Sequence, residues 1–230
     1  MTYRRILPTV LSALVLLMPI VRAQSHAGTD EAKRIAEATT IFSEIMGAGD
    51  KAIPRAILGK AEGIAVFPGT IKVGLGIGGM RGRGILSARD GKGAWSAPAF
   101  LTLTGGSIGL QIGGQSTDLV LVISNRRGLE NLIHNQFKLG ADASVAAGPV
   151  GRDAQASTDI QMRAQILSYS RARGVFAGVS INGSTVRQDT DANQRFYGRP
   201  LDSKQIVIDR LSAAPAPVPA WRDLLEKHTK

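Results

Sequence analysis

The stretch VGLGIGGMRGRG, residues 73–84, alternates glycine with larger residues in the middle of the chain. Alternation with a period of two predicts a β-strand, because successive side chains of a strand point to opposite faces of the sheet. IGLQIGGQ, residues 108–115, repeats the pattern. Glycine on one face of a strand lets another backbone, a helix or a ligand approach closely, so the two stretches predict a shared glycine-lined face. Its glycines are Gly74, Gly76, Gly78, Gly109 and Gly113.

Short aliphatic segments bounded by turn residues continue on both sides of this pattern and predict the class of fold. Six of them lie between residues 63 and 124. Asp90-Gly91 and Asn182-Gly183 are typical of hairpin turns. Residues 159–171 fit a helix or a strand, and their apolar alternation favours a strand. We therefore expect one α+β domain: an antiparallel, glycine-rich twisted sheet or open barrel of short strands with a few covering helices.

Three helices are predicted beside these strands. The first occupies about residues 30–46, and a short second helix begins at Pro54, a favourable first helical position. The third lies near 126–137 and is capped by Ser124 or Asn125. Their predicted buried residues are Ile35, Ala38, Phe42 and Ile45 in the first helix, Ile57 and Leu58 in the second, and Leu129, Leu132, Ile133 and Phe137 in the third.

Two motifs resemble nucleotide-binding or catalytic signatures, and their context argues against both. The GxGxxG spacing at 74–79 occurs in dinucleotide-binding loops, but there it precedes a helix, and here it lies within a predicted strand. Ser107 lies in a GxSxG pattern, with Asp118 and His134 later in the chain. A hydrolase nucleophile needs a sharp strand-to-helix turn, whereas Ser107 enters an alternating strand. We expect no catalytic site, no cofactor and no metal site.

The first residues predict export. Residues 1–23 combine a basic start, an apolar stretch of 14 residues from Leu7 to Ile20, and small residues before a cleavage site after Ala23. That stretch is shorter than the ~18 residues that a membrane span needs. The chain has no cysteine, so we expect neither a lipoprotein anchor nor a disulfide. The predicted protein is periplasmic or secreted and peripheral to a membrane.

The predicted organisation of the chain is a signal peptide at 1–23, a flexible lead at 24–29, one domain at 30–200, and an extension at 201–230 with an Ala/Pro linker and a short amphipathic helix.

The charge of the chain suggests an anionic partner. The formal net charge is +10, and it falls to +7 without residues 1–23. Residues 61–200 hold 15 lysine and arginine residues against 9 acidic ones. Arginine side chains bind phosphate oxygens through two parallel hydrogen bonds, which suits a phosphate-bearing headgroup. The candidate headgroup-binding residues are Lys72, Arg81, Arg83, Arg171 and Arg173.

Several stretches together resemble the SYLF domain family, in the order in which that family shows them. The most specific are SYSRARGVFAGVSINGS at 168–184 and AAGPVGR at 146–152, and NQRFYG closes the match at 193–198. The resemblance covers about residues 30–200. It implies lipid binding: eukaryotic SYLF proteins bind phosphoinositides, some couple membranes to actin, and an N-terminal amphipathic helix is implicated in membrane contact.

Other features of this sequence restrict the partners and ligands that we expect. No SH3-like or FYVE-like module is visible, so we do not expect actin as a partner. For an exported protein the expected ligands are phosphoinositide-like or bacterial anionic headgroups, such as phosphatidylglycerol, cardiolipin or lipid A phosphates. The helix at 30–46 carries charges of both signs, which favours packing on the sheet over membrane insertion. A single RGRG without interleaved aromatic residues argues against nucleic acid.

The leading hypothesis is therefore non-catalytic binding of anionic lipid. The alternative is a structural or assembly protein of the cell envelope that binds a protein or polymer partner through the same basic face. A hydrolase that uses Ser107 is a third hypothesis.

Overall fold

The computed structural model describes residues 24–134, 136–150, 163–172, 175–178 and 181–230. The predicted signal peptide and Arg173 therefore lie outside the described residues. The described part is a mixed α+β fold with a curled, mostly antiparallel sheet, as the sequence predicts. The helices are α1 (Gln24–Met46), α2 (Arg55–Leu58), α3 (Arg126–Leu132), α4 (Thr190–Tyr197), α5 (Ser203–Val207) and α6 (Val218–Thr229). The strands are β1 (Gly63–Ala88), β2 (Ala99–Ile123), β3 (Gln136–Lys138), β4 (Val145–Ala147), β5 (Ile166–Ala172), β6 (Val175–Gly178) and β7 (Thr185–Gln188).

The first two strands form one long hairpin, which is the centre of the fold. They pair antiparallel from Gly63 opposite Ile123 to Leu86 opposite Ala99, and the predicted Asp90-Gly91 turn lies in the connection. The expectation of six short strands over this region is therefore wrong. Glycine continues these strands instead of ending them, and two register shifts allow the long ladder to bend.

The first strand folds back on itself, and glycine makes this possible. A Cβ atom added at Gly84 would lie 2.4 Å from the carbonyl oxygen of Val66, and one added at Gly82 would lie 2.5 Å from Oγ1 of Thr70. The beginning and the end of β1 thus pack against each other at glycine positions. In RGRG the glycines face inward and both arginines are exposed.

The other strands extend this hairpin on the free edge of β2. The order is β3-β7-β2-β5-β4, with β1 paired to β2 and β6 paired to β5. Only β4 and β5 are parallel among these described strands. Residues Asn182-Gly183 do form a turn, but β6 and β7 pair with other strands, so the predicted hairpin there is wrong.

The helices cover the core as their apolar spacing requires. Ile35, Ala38, Phe42 and Ile45 of α1 are all buried, which confirms their predicted burial. The helix begins at Gln24, six residues before its predicted start. Within the described residues, no helix has the length and apolarity that a bilayer crossing requires.

The third helix is shorter than predicted. The side chain of Asn125 caps it by accepting a hydrogen bond from Gly128 N, and Leu129, Leu132 and Ile133 are buried. Phe137 is also buried, but it lies in β3, because pairing with β7 takes residues 136–138 into the sheet.

The residues after 200 pack onto the same core. Trp221 and Leu225 of α6 are completely buried. Trp221 Nε1 donates a hydrogen bond to Ser87 Oγ at 2.9 Å, and its ring lies 5.8 Å from that of Phe42. The predicted amphipathic helix of the extension is therefore an integral part of the folded domain.

Candidate functional site

A groove runs between α1 and the outer side of β1, and it contains the basic residues of RGRG. Its volume is about 600 Å³. Its lining residues are Asp30, Lys33, Arg34, Glu37, Pro68, Gly69, Ile71, Arg81, Gly82 and Arg83. Four of these residues are cationic and two are acidic, so the groove has an excess of positive charge.

Arg81 and Arg83 are the exposed cations on the β1 side of this groove. Their neighbours Gly82 and Gly84 are buried, so the alternation of β1 directs both arginine side chains outward. Among the residues that the structure describes, neither arginine forms an ion pair. Both guanidinium groups are thus available to an anion. Ile71, with 55% of its surface exposed, adds an apolar contact to the same groove.

The α1 side of the groove is partly neutralised. Arg34 is buried and lies 3.4 Å from Oδ2 of Asp189, with its guanidinium 5.2 Å from the centre of the Phe100 ring. Burial lowers the pKa of Arg34, and the positive charge of Arg83 lowers it further, although Asp189 opposes both effects. Lys33 is exposed and lies 3.8 Å from Glu37. Arg34 therefore acts mainly as part of the wall, whereas Lys33 can reach a ligand.

Arg171 lies in a second groove, which shares Pro68 and Gly69 with the first, and it is already paired. Its Nε and Nη2 donate to Oδ2 of Asp118 at 3.1 and 2.9 Å, and its Nη1 contacts Glu44 of α1. Burial opposes the charged form, but the hydrogen bonds that the guanidinium donates to both carboxylates prevail and raise the pKa of Arg171. Asp118 also accepts from Gly69 N at 2.9 Å. These contacts tie α1 to the sheet and give Arg171 a structural role, while its part in headgroup binding stays a prediction.

The remaining predicted site residues lie around the bend of the hairpin. Lys72 is half-buried and pairs in the ladder with Gln115. The two glycine-rich stretches lie side by side, with Gly74 opposite Gly113 and Gly76 opposite Gly109. Gly78 pairs with Ser107. The glycines therefore lie together in one part of the sheet. The approach of a ligand to this part stays a prediction.

The structure does not assemble a hydrolase site from the GxSxG motif. Ser107 lies within β2, not at a strand-to-helix turn. The Asp118 carboxylate is held by Arg171, and His134 is exposed after the end of α3. The GxGxxG glycines likewise lie inside β1 without a following helix. No group of three or more metal-binding side chains occurs in the described ranges.

The sequence analysis missed Lys33 and Arg34 as residues that line the groove. Their positions in the helical pattern predict exposed charges of an amphipathic helix, although Arg34 is in fact buried. Only the packing of α1 beside β1 brings them near Arg83. A helical pattern alone therefore contains no signal that could have found them.

The motif residues outside the groove have structural roles. Gly148 of AAGPVGR packs against the ring of Tyr169, where an added Cβ would lie 2.0 Å from a ring carbon. Asn193 is buried, and its Oδ1 accepts from Phe100 N at 2.8 Å. Arg195 pairs with the buried Glu31 at 2.8 Å, and Tyr197 donates to Pro98 O at 2.6 Å. Burial raises the pKa of both tyrosine hydroxyls, which stay protonated.

Comparison with known proteins gives consistent matches over this fold. The family model described as "Ysc84: Las17-binding protein actin regulator" matches residues 104–228. Protein YSC84 of Saccharomyces cerevisiae is 33% identical over 200 residues, which cover 84% of this chain and 42% of that protein. SH3 domain-containing YSC84-like protein 1 of Homo sapiens is 33% identical over 181 residues, which cover 77% of this chain and 53% of that protein. The chain thus spans about half the length of these relatives.

Proposed function

The chain belongs to the Ysc84 family, the SYLF domain proteins, and on that premise we propose that it binds anionic lipid headgroups without catalysing a reaction. The observation that carries the proposal is the pair Arg81 and Arg83, exposed at the groove and without a carboxylate partner in the described residues. Two guanidinium groups on alternate positions of one strand can bind phosphate oxygens from the same side.

The dimensions and energetics of the groove support a headgroup as the ligand. A volume of about 600 Å³ lies within the range of small-molecule sites. Each basic residue near an anionic surface contributes about 1 kcal/mol, so Arg81 and Arg83 need further cations to give useful affinity. Lys33, which lines the groove, is the candidate on α1, and Lys72 stays the predicted candidate on β1. The exposed Ile71 would then contact the apolar part of the lipid.

The proposal includes export. The pattern of residues 1–23 supports a periplasmic or secreted protein that is peripheral to a membrane. In that location the anionic headgroups would be those of phosphatidylglycerol, cardiolipin or lipid A.

Vesicle flotation of the purified protein tests this proposal. Vesicles of phosphatidylcholine alone are compared with vesicles that also contain phosphatidylglycerol, each at low and high salt. We expect flotation only with the anionic vesicles and a loss at high salt, because salt screens exposed charges. The double substitution Arg81→Gln/Arg83→Gln should weaken binding by about 30-fold. No flotation under any of these conditions would exclude the proposal.

Two further variants make the result specific to the groove. Lys60→Gln/Lys92→Gln removes the same charge from exposed residues that do not line the groove, and it should bind vesicles almost as the unchanged protein does. Arg171→Gln removes a guanidinium that is already paired with Asp118 and Glu44. It should lower thermal stability more than lipid affinity, and the opposite result would restore Arg171 as a headgroup residue.

A second candidate function is binding of a protein partner through the same basic groups. The description of the matching family as Las17-binding favours it. For an exported protein the partner would be an acidic protein or polymer of the cell envelope. Retention of such a component without vesicles, lost in Arg81→Gln/Arg83→Gln, would favour this candidate over lipid.

A further inference from the structure

Arg81 and Arg83 belong to a larger pattern that crosses four neighbouring strands. The strands lie in the order β1, β2, β7 and β3, and their pairing places residues of each strand directly opposite those of the next. One cross-strand row consists of Arg83, Thr102, Arg187 and Gln136. The next row consists of Arg81, Thr104, Thr185 and Lys138. We call these eight residues the basic sheet face.

Both rows point away from the core. Directly paired residues of adjacent strands lie on the same face of a sheet, and the row between these two must therefore lie on the opposite face. That intermediate row consists of Gly82, Leu103, Val186 and Phe137, and all four are buried. All four cations of the basic sheet face are exposed, as are Thr104 and Gln136, and the other two threonines are partly exposed.

The four cations of the face have no acidic partners there. None of Arg81, Arg83, Arg187 and Lys138 forms an ion pair with any residue in the described ranges. The acid at the β3 edge is Asp142, whose Oδ2 accepts from the backbone nitrogen of Lys138 at 2.6 Å. The other residues of the two rows are three threonines and one glutamine, so the face itself carries four positive charges and no negative charge.

The dimensions of the face exceed those of one phosphate group. Neighbouring strands are about 4.8 Å apart, so Arg83 and Arg187 are separated by roughly 10 Å, and Arg81 and Lys138 by roughly 14 Å. Along each strand, the two rows are about 7 Å apart. A single phosphate cannot contact cations at both ends of this area, whereas a surface with many headgroups can.

We propose that the basic sheet face is the surface by which the protein lies on an anionic membrane, with Arg187 and Lys138 binding further headgroups beside those held by Arg81 and Arg83. This inference rests on the proposed function and adds the orientation of the protein on the membrane. The sheet, not the apolar stripe of α1, faces the lipid, because that stripe is buried in the core. The threonine hydroxyls between the cations provide neutral hydrogen-bond donors for phosphate oxygens.

Binding of the purified protein to vesicles with a graded phosphatidylglycerol content tests the inference. Arg187→Gln/Lys138→Gln should weaken binding about 30-fold, as Arg81→Gln/Arg83→Gln does, and the quadruple variant should not bind. Binding of the unchanged protein should rise more steeply than the phosphatidylglycerol fraction, because several headgroups are engaged together. Millimolar glycerol phosphate should not displace the protein from vesicles, since it occupies one position at a time.

The controls separate this inference from the function on which it rests. Absence of vesicle binding by the unchanged protein would overturn both. A second outcome would overturn only the inference. In it the unchanged protein binds vesicles and Arg81→Gln/Arg83→Gln weakens that binding, whereas Arg187→Gln/Lys138→Gln has no more effect than Lys60→Gln/Lys92→Gln. Displacement by glycerol phosphate would also overturn it, in favour of a single headgroup site. The charge-conserving Arg187→Lys/Lys138→Arg should bind vesicles as the unchanged protein does. That result would attribute the weaker binding of Arg187→Gln/Lys138→Gln to the lost charges and not to a loss of fold.

Discussion

The two ends of the β1–β2 hairpin and its glycine-rich middle are made from the same alternating pattern but differ in what covers them. At one end Ile64, Val66 and their partners on β2 are completely buried. In the middle Ile71 is 55% exposed, and no atom lies within 4 Å of a Cβ added at Gly79 or Gly106. Alternation therefore specifies a strand in both regions, whereas the helices and the folded-back β1 determine which region becomes core.

The largest expected difference between the regions concerns bulky side chains. Trp221 covers the end of β1 through its hydrogen bond to Ser87 and its contact with Phe42. Trp221→Ala should reduce the free energy of unfolding by about 3–5 kcal/mol, because it leaves a large cavity and an unpaired Ser87 hydroxyl. Chemical denaturation followed by circular dichroism measures the loss.

The matched substitution in the middle is Ile71→Ala. Since Ile71 is more than half exposed, its truncation should change the free energy of unfolding by less than about 0.5 kcal/mol. Equal losses for Trp221→Ala and Ile71→Ala would contradict the distinction between a packed end and an open middle.

Two glycines of β1 show the same difference within one strand. Gly84→Ala should destabilise the protein by about 3 kcal/mol, because its Cβ would meet the backbone oxygen of Val66 at 2.4 Å, and a backbone atom cannot move aside cheaply. Gly79→Ala, where the space is open, should be neutral or slightly stabilising, since alanine reduces the freedom of the unfolded chain. Thermal melts of the two variants compare them directly, and a similar loss at both sites would show that β1 does not fold back as described.

The same contrast explains how much of the fold the sequence could predict. The α+β class, the buried stripe of α1 and the Asn125 cap follow from local periodicity and local hydrogen bonding. The number of strands did not follow, because a glycine that ends one strand looks the same as a glycine that faces a neighbouring backbone. Phe137 was placed in a helix for a similar reason: its burial was predictable, but pairing of β3 with β7 is a contact between distant residues.

The candidate site shows the same limit. Arg81 and Arg83 could be found because their alternation with glycine is visible in the sequence. Arg171 could be found as a cation, but its pairing with Asp118 and Glu44 depends on where α1 and β2 meet. Arg187 and Lys138 had no local signal, since their position beside Arg81 and Arg83 depends on the order of four strands that are separated in the chain.

The smallest expected effect is on the pH dependence of stability, and it concerns His228 at the packed end. Burial against Phe42, with nearby Lys227 and Arg55, lowers the pKa of His228 below its ordinary value. The unfolded chain then binds a proton more readily than the folded protein. The contribution of His228 to stability is therefore fully present above about pH 6.5, its ordinary pKa, and is lost as the pH falls from there through the lower pKa of the folded protein.

His228→Gln should remove this component, so between pH 7.5 and pH 5 its melting temperature should fall by less than that of the unchanged protein. His134→Gln is the matched control, because it removes an exposed histidine by the same substitution. The titration of carboxylates is common to all three proteins and cancels in the comparison. The opposite result would be that His134→Gln flattens the pH dependence of the melting temperature and His228→Gln does not. The acid-sensitive contact would then lie near α3. It would also mean that α6 does not protect the packed end, although its Trp221 is buried there.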